Sequence, residues 1–164
     1  MKRSIFLIVV LFFLGLMPQE KVQAQTEDTY EAMEGVSSVN TVFDFRISDP
    51  VIALSHLNLI HGMLEDPNMI INGEQPEIII VLVGPSVNLV STEKMKDNPA
   101  AKDKIAKKIS DMTADGIRFE ICMTAAHAFG VPADSVLPEI VQVKNGWISL
   151  VGYQQQGYSM IADF

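Results

Sequence analysis

Six consecutive apolar residues, from Ile78 to Val83, constrain the fold of this chain more than any other segment. Most of them are branched at Cβ, and the run ends at Gly84-Pro85. A strand of this composition has no polar face, so it must be covered on both sides. Such coverage is typical of a parallel sheet that packs between helices. The run therefore predicts a central strand in an α/β domain.

The segments around this run alternate between strand and helix patterns. Further strands are predicted over residues 42–47, 117–122, 139–144 and 158–162. Helices are predicted over residues 50–66, 99–116, 124–129 and 146–156. In residues 42–47 apolar and polar side chains alternate, which predicts a half-exposed strand. The alternation of strands and helices predicts an α/β fold whose mostly parallel sheet has helices on both faces.

The amino terminus has the pattern of a secretory signal peptide. Lys2 and Arg3 precede an apolar run from Ile5 to Met17, and the small-residue segment Val22-Gln23-Ala24 follows. A membrane-spanning helix needs roughly 20 apolar residues, so this run is too short to span a bilayer but suits a signal peptide. We predict a signal peptide over residues 1–24 and export of the remainder, to the bacterial periplasm.

The exported part is strongly acidic. It keeps 9 of the 12 basic and 19 of the 20 acidic residues, a formal charge of −10. Residues 25–40 are acidic and poor in branched apolar side chains, which predicts a flexible arm before a folded domain over residues 41–164. This charge should repel nucleic acid and anionic lipid, so we expect no nucleic-acid partner and no membrane association after cleavage.

Several common chemistries lack their motifs. No strand is followed by G-x-G-x-x-G, and the sequence holds neither a P-loop nor a G-x-S-x-G elbow. The three histidines have no cysteine at zinc-ligand spacing, so we predict no metal site and no cofactor. Cys122 is the single cysteine of the chain, which excludes an intrachain disulfide and a Cys-x-x-Cys redox cycle.

Ligands of open α/β sheets bind beyond the carboxyl ends of the strands. Two segments reach that edge, and their candidate residues are Gly84, Pro85, Ser86, Cys122, Met123, Thr124 and Ala125. Glycine allows a ligand to approach the backbone, and the start of a helix favours a thiolate over a thiol. Cys122 can equally be a small apolar residue of the core. Position alone therefore leaves a reactive and a structural interpretation open.

Several short motifs follow one another along the chain. They are Val83-Gly84-Pro85-Ser86-Val87, Gly116-Ile117-Arg118-Phe119-Glu120-Ile121-Cys122, Ala125, His127, Phe129-Gly130-Val131, Leu137-Pro138, Val141 to Val143 and Gln154-Gln155-Gln156-Gly157-Tyr158. Their order resembles the DsrE/DsrF-like family from about Val42 to the carboxyl terminus. The resemblance implies a Rossmann-like three-layer sandwich, assembly into homotrimers or homohexamers and, as in sulfur-trafficking members, a cysteine at position 122 that carries sulfur as a persulfide.

Two functions are compatible with these observations. In the first, the exported protein accepts sulfane sulfur on Cys122, and its partner is a sulfur donor or acceptor protein or a small sulfur compound. In the second, the protein is a non-catalytic, oligomeric module for small-ligand binding or assembly, and Cys122 is a buried structural residue. The two differ in whether the thiol of the native protein can react.

Overall fold

The computed structural model describes residues 30–94 and 98–163. The predicted signal peptide and the first residues of the predicted arm lie outside this part of the chain. The described strands are β1 (Asn40–Phe45), β2 (Glu77–Leu82), β3 (Arg118–Cys122), β4 (Val141–Val143) and β5 (Ser159–Asp163). The α-helices are α1 (Pro50–Gly62), α2 (Pro99–Ala114), α3 (Met123–Ala128) and α4 (Gly146–Gln155). Short 3₁₀ helices cover Glu31–Met33, Pro67–Met69, Gly84–Val90 and Ala133–Ser135.

The five strands form one sheet in the order β4-β3-β2-β1-β5. Every pair of neighbours is parallel, with Ile80 of β2 opposite Phe43 on one side and Phe119 on the other. The apolar run therefore forms the middle strand, and all of Ile78–Leu82 is buried. This confirms the α/β fold class and the predicted central strand.

Helix starts follow the predicted caps. The Asp49 carboxylate accepts hydrogen bonds from the amides of Val51 and Ile52, both at 2.9 Å, and Pro50 opens α1. The Asn98 side chain accepts from the Ala101 amide at 3.2 Å at the start of α2. These bonds satisfy amides that have no partner within their own helix, while proline at the first position loses none. Both helices therefore begin where the sequence predicts.

The sheet is covered unequally on its two faces. On one face α1, α2 and α3 bury a large core against the strands, and this core contains Phe43, Phe45, Ile80, Phe119 and Ile121 among others. On the other face α4 covers a smaller cluster made of Val42, Ile79, Val81, Val83, Cys122 and Leu150. The described residues thus form three layers, with α1, α2 and α3 on one face of the sheet and α4 on the other. None of their helices is long and apolar enough to cross a membrane.

The first strand differs from its prediction. It spans Asn40–Phe45 instead of 42–47, so Asn40 belongs to the sheet, and Thr41–Phe45 are all buried where a half-exposed strand was predicted. β2 and β5 pair with β1 on both sides, so neither edge reaches solvent. The charged Asp44 is buried because Arg46 compensates its charge. The polar residues of this alternating segment, Asp44 and Arg46, form an ion pair with Asp44 buried, and they do not form a solvent-exposed face.

Candidate functional site

Cys122 stands at a junction between two elements. It is the last residue of β3 and the N-cap of α3, and the Ala125 N–H donates to its Sγ at 3.4 Å. An N-cap side chain accepts from the free amides of the first helical turn, a position usually held by an oxygen. The helix begins at Met123 instead of the predicted Thr124 because the sulfur caps it. A backbone N–H donor thus holds the sulfur in place at the start of α3.

The start of α4 lies directly against this cysteine. A Cβ placed on Gly146 would lie 2.6 Å from Cγ1 of Val83, 3.0 Å from Cβ of Cys122 and 3.1 Å from Cγ1 of Val81. Atoms this close overlap, so a residue without a side chain is required at the first position of α4. The Asn145 side chain caps the helix by accepting from the Trp147 amide at 3.0 Å. Gly146 therefore sets how closely α4 approaches the sheet beside the sulfur.

A cavity of about 240 Å³ lies at the carboxyl ends of the strands and includes Cys122 in its wall. Its lining residues are Arg46, Val83, Gly84, Cys122, Thr124, Ala125, Ala128, Asn145 and Trp147. Cys122 is only 5% exposed, whereas Trp147 is 62% exposed. The cavity gives the thiol a space large enough for a small molecule. A larger surface concavity of about 510 Å³ near Tyr30 and Met33 holds no thiol in its lining.

Arg46 brings a positive charge to this cavity. Its Nε donates to Oδ1 of Asp44 at 3.0 Å and its Nη2 donates to Oδ2 at 2.9 Å, which makes a two-bonded ion pair. The Asp44 side chain is 9% exposed and the Arg46 side chain 32% exposed. Two parallel bonds fix the plane of a guanidinium group as well as its position. The pair therefore holds Arg46 in a defined orientation at the cavity wall.

The structure brings together some of the predicted ligand residues. Gly84, Thr124 and Ala125 line the cavity with Cys122. The φ angle of Gly84 is +60°, a conformation that favours glycine, and it turns the chain at the end of β2. Thr124 joins the start of α3 to the end of β4, because its N–H and its Oγ1 both donate to the carbonyl of Lys144. These residues shape the cavity that was predicted at this edge.

Three predicted ligand residues are not part of the cavity lining. Ser86 is fully buried, and its hydroxyl hydrogen bonds with the carbonyls of Phe45 at 2.8 Å and Val83 at 2.9 Å. Pro85 is the second residue of the 3₁₀ helix Gly84–Val90, and its carbonyl accepts from the Asn88 side chain. Met123 packs against the larger core on the opposite face of the sheet. In this structure their contacts are with the fold and not with the cavity.

Sequence analysis missed Arg46, Asn145 and Trp147 as site residues. Arg46 follows β1 and Asn145 follows β4, so both lie at the carboxyl ends of strands. Ligands of open α/β sheets bind beyond the carboxyl ends of the strands, so these two positions carry the same signal as the segments after β2 and β3. Neither residue belongs to a motif that signals chemistry by itself. Their proximity to Cys122 arises only when the sheet forms.

A second polar cluster lies on the same face of the sheet. The buried Glu120 accepts from the Tyr153 hydroxyl at 2.7 Å and from Nε of Arg118 at 3.0 Å, both through Oε1. Burial and the hydrogen bond to Glu120 raise the pKa of Tyr153 to about 12. The hydrogen bond that Arg118 donates to Glu120 raises the pKa of Arg118. This cluster adds a charged, hydrogen-bonded link between α4 and β3 to the apolar packing of α4 on the sheet.

The histidines make contacts at the surface of the helices. Nδ1 of His56 lies 2.6 Å from Asp163, while His61 hydrogen bonds with Lys108 and Asp115, each at 2.7 Å. No group of three potential metal ligands occurs within residues 30–94 and 98–163. His56 and His61 thus join α1 to its neighbours through polar contacts, and His127 is exposed on α3.

The fold and the strand-end cysteine define a class of protein. A sequence profile of the DsrE/DsrF-like family matches residues 26–162, and the chain belongs to this family. A search of curated protein sequences finds no significant match.

Solved structures confirm the fold. The protein of unknown function MTH1491 from Methanobacterium thermoautotrophicum is 21% identical over 76% of this chain and 99% of its own, with a TM-score of 0.62. The ychN protein from E. coli is 12% identical over 77% and 99%, with a TM-score of 0.58. BT1422 from Bacteroides thetaiotaomicron, a conserved protein of unknown function, is 21% identical over 76% and 94%, with a TM-score of 0.53.

Proposed function

We propose that this protein is an exported sulfur carrier that accepts sulfane sulfur on Cys122 as a persulfide. The observation that carries the proposal is the placement of the thiol, which caps α3 through the Ala125 amide and also lines a cavity of about 240 Å³. A packed cysteine needs no adjoining space, whereas a carrier needs room for the donor and for the added sulfur atom. Membership of the DsrE/DsrF-like family supports the same function.

The proposed step balances without a cofactor. The Cys122 thiolate attacks the outer, sulfane sulfur of a donor, a new S–S bond forms, and the S–S bond within the donor breaks. The electron pair of the broken bond leaves with the remainder of the donor, so no external oxidant or reductant is consumed. The Ala125 amide, which donates to Sγ, stabilises negative charge near the attacking atom. A carrier of this kind needs one cysteine only.

A second function has its own supporting observation. Cys122 is 5% exposed and belongs to the apolar cluster under α4, which is also what a structural cysteine of an assembly module would show. Labelling with a small thiol reagent separates the two. A carrier is labelled in the native protein, whereas a structural cysteine is labelled only after unfolding in denaturant. The unfolded protein serves as the control for reagent activity.

We infer that the protein also forms homotrimers or homohexamers. On α4, Trp147, Ile148 and Val151 are exposed although they are large and apolar. Contiguous exposed apolar residues are typical of surfaces that another subunit covers. This patch starts at the cavity, because Trp147 belongs to both. The predicted signal peptide supports export to the periplasm as the setting in which such an assembly would act.

A further inference from the structure

We propose that β5 is an interface at which two copies of this chain join, through antiparallel pairing of β5 with β5 of the second copy across a two-fold axis. The inference does not depend on the sulfur chemistry. It goes beyond the assembly inferred above, because a homohexamer built from two trimers needs a two-fold contact besides its three-fold one. The apolar patch of α4 supplies one of these contacts, and the edge of β5 supplies the other.

The outer edge of β5 is open. Among the described strands β5 has a single neighbour, β1, and its residues Ser159 to Ala162 are all exposed. The carbonyl of Asp163 points toward β1, because it accepts from the Arg46 amide at 2.8 Å. Backbone groups of successive residues in a strand point to opposite sides, so those of Met160 and Ala162 point away from β1. Such a row of backbone donors and acceptors is a template for a further strand.

β5 lacks the usual protection of an edge strand. It contains no lysine, arginine or proline, its register with β1 is unbroken, and its one charged residue is the terminal Asp163. Met160 and Ile161 are large, apolar and exposed on opposite faces of the sheet. The other edge strand, β4, is only three residues long, and its Gln142 side chain donates to a backbone carbonyl at 2.9 Å. The edge suited to strand pairing is therefore that of β5.

The sequence of β5 is complementary to itself in one register. When the two-fold axis passes beside Ile161, this residue opposes Ile161 of the second copy, and Met160 opposes Ala162. The outward backbone groups of Met160 and Ala162 then form hydrogen-bonded pairs, and a large side chain faces a small one. Asp163 opposes Ser159, so no like charges face each other across the strands. This self-complementarity identifies a second copy of the chain as the occupant.

α1 extends the apolar surface beside β5. Ile52, His56 and Leu59 follow one another at spacings of four and three, so they share one flank of the helix. His56 contacts Asp163, which turns this flank toward β5, and Ile161 lies on the face of the sheet that α1 covers. Ile52 and Leu59 are exposed, and α1 contains no charged residue in a chain of net charge −8. Two acidic chains approach most readily where their surfaces are uncharged.

Cysteine cross-linking tests the register directly. Ile161→Cys is placed in a Cys122→Ser background, so that the protein has a single thiol. Met160→Cys in the same background is the matched control, because the native side chains are 42% and 45% exposed but only position 161 opposes itself. Oxidation with diamide at micromolar protein should give about tenfold more reducible dimer for Ile161→Cys, since opposed Cβ atoms in a strand pair lie close enough for a disulfide.

Light scattering measures the assembly itself. Ile161→Asp places two carboxylates opposite each other and should halve the mass, from hexamer to trimer, whereas Ser110→Asp on α2 should leave the mass unchanged. Equal cross-linking of the two cysteine variants overturns the β5 pairing, and so does a wild-type trimer that Ile161→Asp leaves intact. A protein that cross-links at position 161 but has the mass of a dimer keeps the β5 pairing and refutes the trimer. A monomeric wild-type protein overturns both.

Discussion

Gly146 and Cys122 touch across the boundary between α4 and the sheet, so closely that a methyl group on Gly146 would lie 3.0 Å from Cβ of Cys122. The same methyl group would meet the Val83 side chain at 2.6 Å. One glycine therefore controls both the packing of α4 and the shape of the cavity around the thiol. Because α4 is the helix that covers this face, the contact links the stability of the layer to the geometry of the candidate site.

Gly146→Ala should destabilise the protein and alter the reactivity of Cys122. The added methyl group must push α4 away from Val83, and overpacking of this kind costs about 1–3 kcal/mol. The measurement is urea unfolding, combined with the rate of native thiol labelling. Gly152→Ala is the matched control, because a Cβ at Gly152 of the same helix meets nothing within 4 Å. Equal stability of the two variants would contradict the close contact described above.

The sequence predicts some parts of this structure because they depend on local patterns. The apolar run at residues 78–83 predicts a central strand, since its composition alone requires cover on both faces. The Asp49-Pro50 and Asn98-Pro99 pairs predict helix starts, since a cap acts within a few residues of its own position. The position of Cys122 between a strand and a helix follows from the same kind of pattern. In each case the determining contacts are close in sequence.

Other parts depend on contacts between distant segments. Arg46 and Cys122 are 76 positions apart, and only the pairing of β1, β2 and β3 brings both to one cavity. The need for glycine at position 146 arises from the approach of α4 to β2 and β3, which no local pattern reveals. Asp44 is buried although alternating polarity predicts an exposed position, because alternation does not distinguish solvent from an ion-pair partner. Tertiary contacts decided each of these features.

The hydrogen bond between Tyr153 and Glu120 should contribute to stability. Tyr153→Phe removes one donor from a buried carboxylate that keeps its bond to Arg118, so the expected loss is about 1 kcal/mol in the free energy of unfolding. Denaturant unfolding at neutral pH measures this loss. The control Tyr30→Phe changes a residue outside the sheet and should have no effect on stability. A Tyr153→Phe variant as stable as the wild type would show that the bond contributes little.

Alkaline pH should weaken the fold through two tyrosines. The pKa of Tyr153 and that of Tyr158 are both raised to about 12, in each case first by burial and then by a hydrogen bond to a glutamate, Glu120 and Glu77 respectively. The folded state favours the neutral phenol, so this stabilisation is present below the unfolded pKa of about 10 and is lost as pH rises through 12. Tyrosinate absorbance should show a late rise near pH 12 with the amplitude of two tyrosines, and Tyr153→Phe should remove half of this rise. Complete titration near pH 10 in the folded protein would contradict this prediction.

The exposed apolar patch of α4 should mediate self-association. We expect light scattering to give the mass of a trimer or hexamer at micromolar concentration, and we expect Val151→Asp to shift the protein toward the monomer because it introduces a charge into the patch. Ser110→Asp introduces the same charge at an exposed position of α2 and serves as the control. A monomeric wild-type protein would exclude the assembly. An oligomer unaffected by Val151→Asp would place the interface elsewhere.

The intact mass of the protein after incubation with inorganic polysulfide tests the central claim most directly. If Cys122 is a sulfur carrier, the native wild-type protein gains about 32 Da, the mass of one sulfur atom, and a thiol reductant removes the gain. Cys122→Ser, whose hydroxyl can still cap α3 but cannot form a persulfide, gains nothing. A native wild-type protein that stays at its original mass, while the unfolded chain takes up sulfur under the same conditions, would contradict the claim and leave Cys122 as a structural residue.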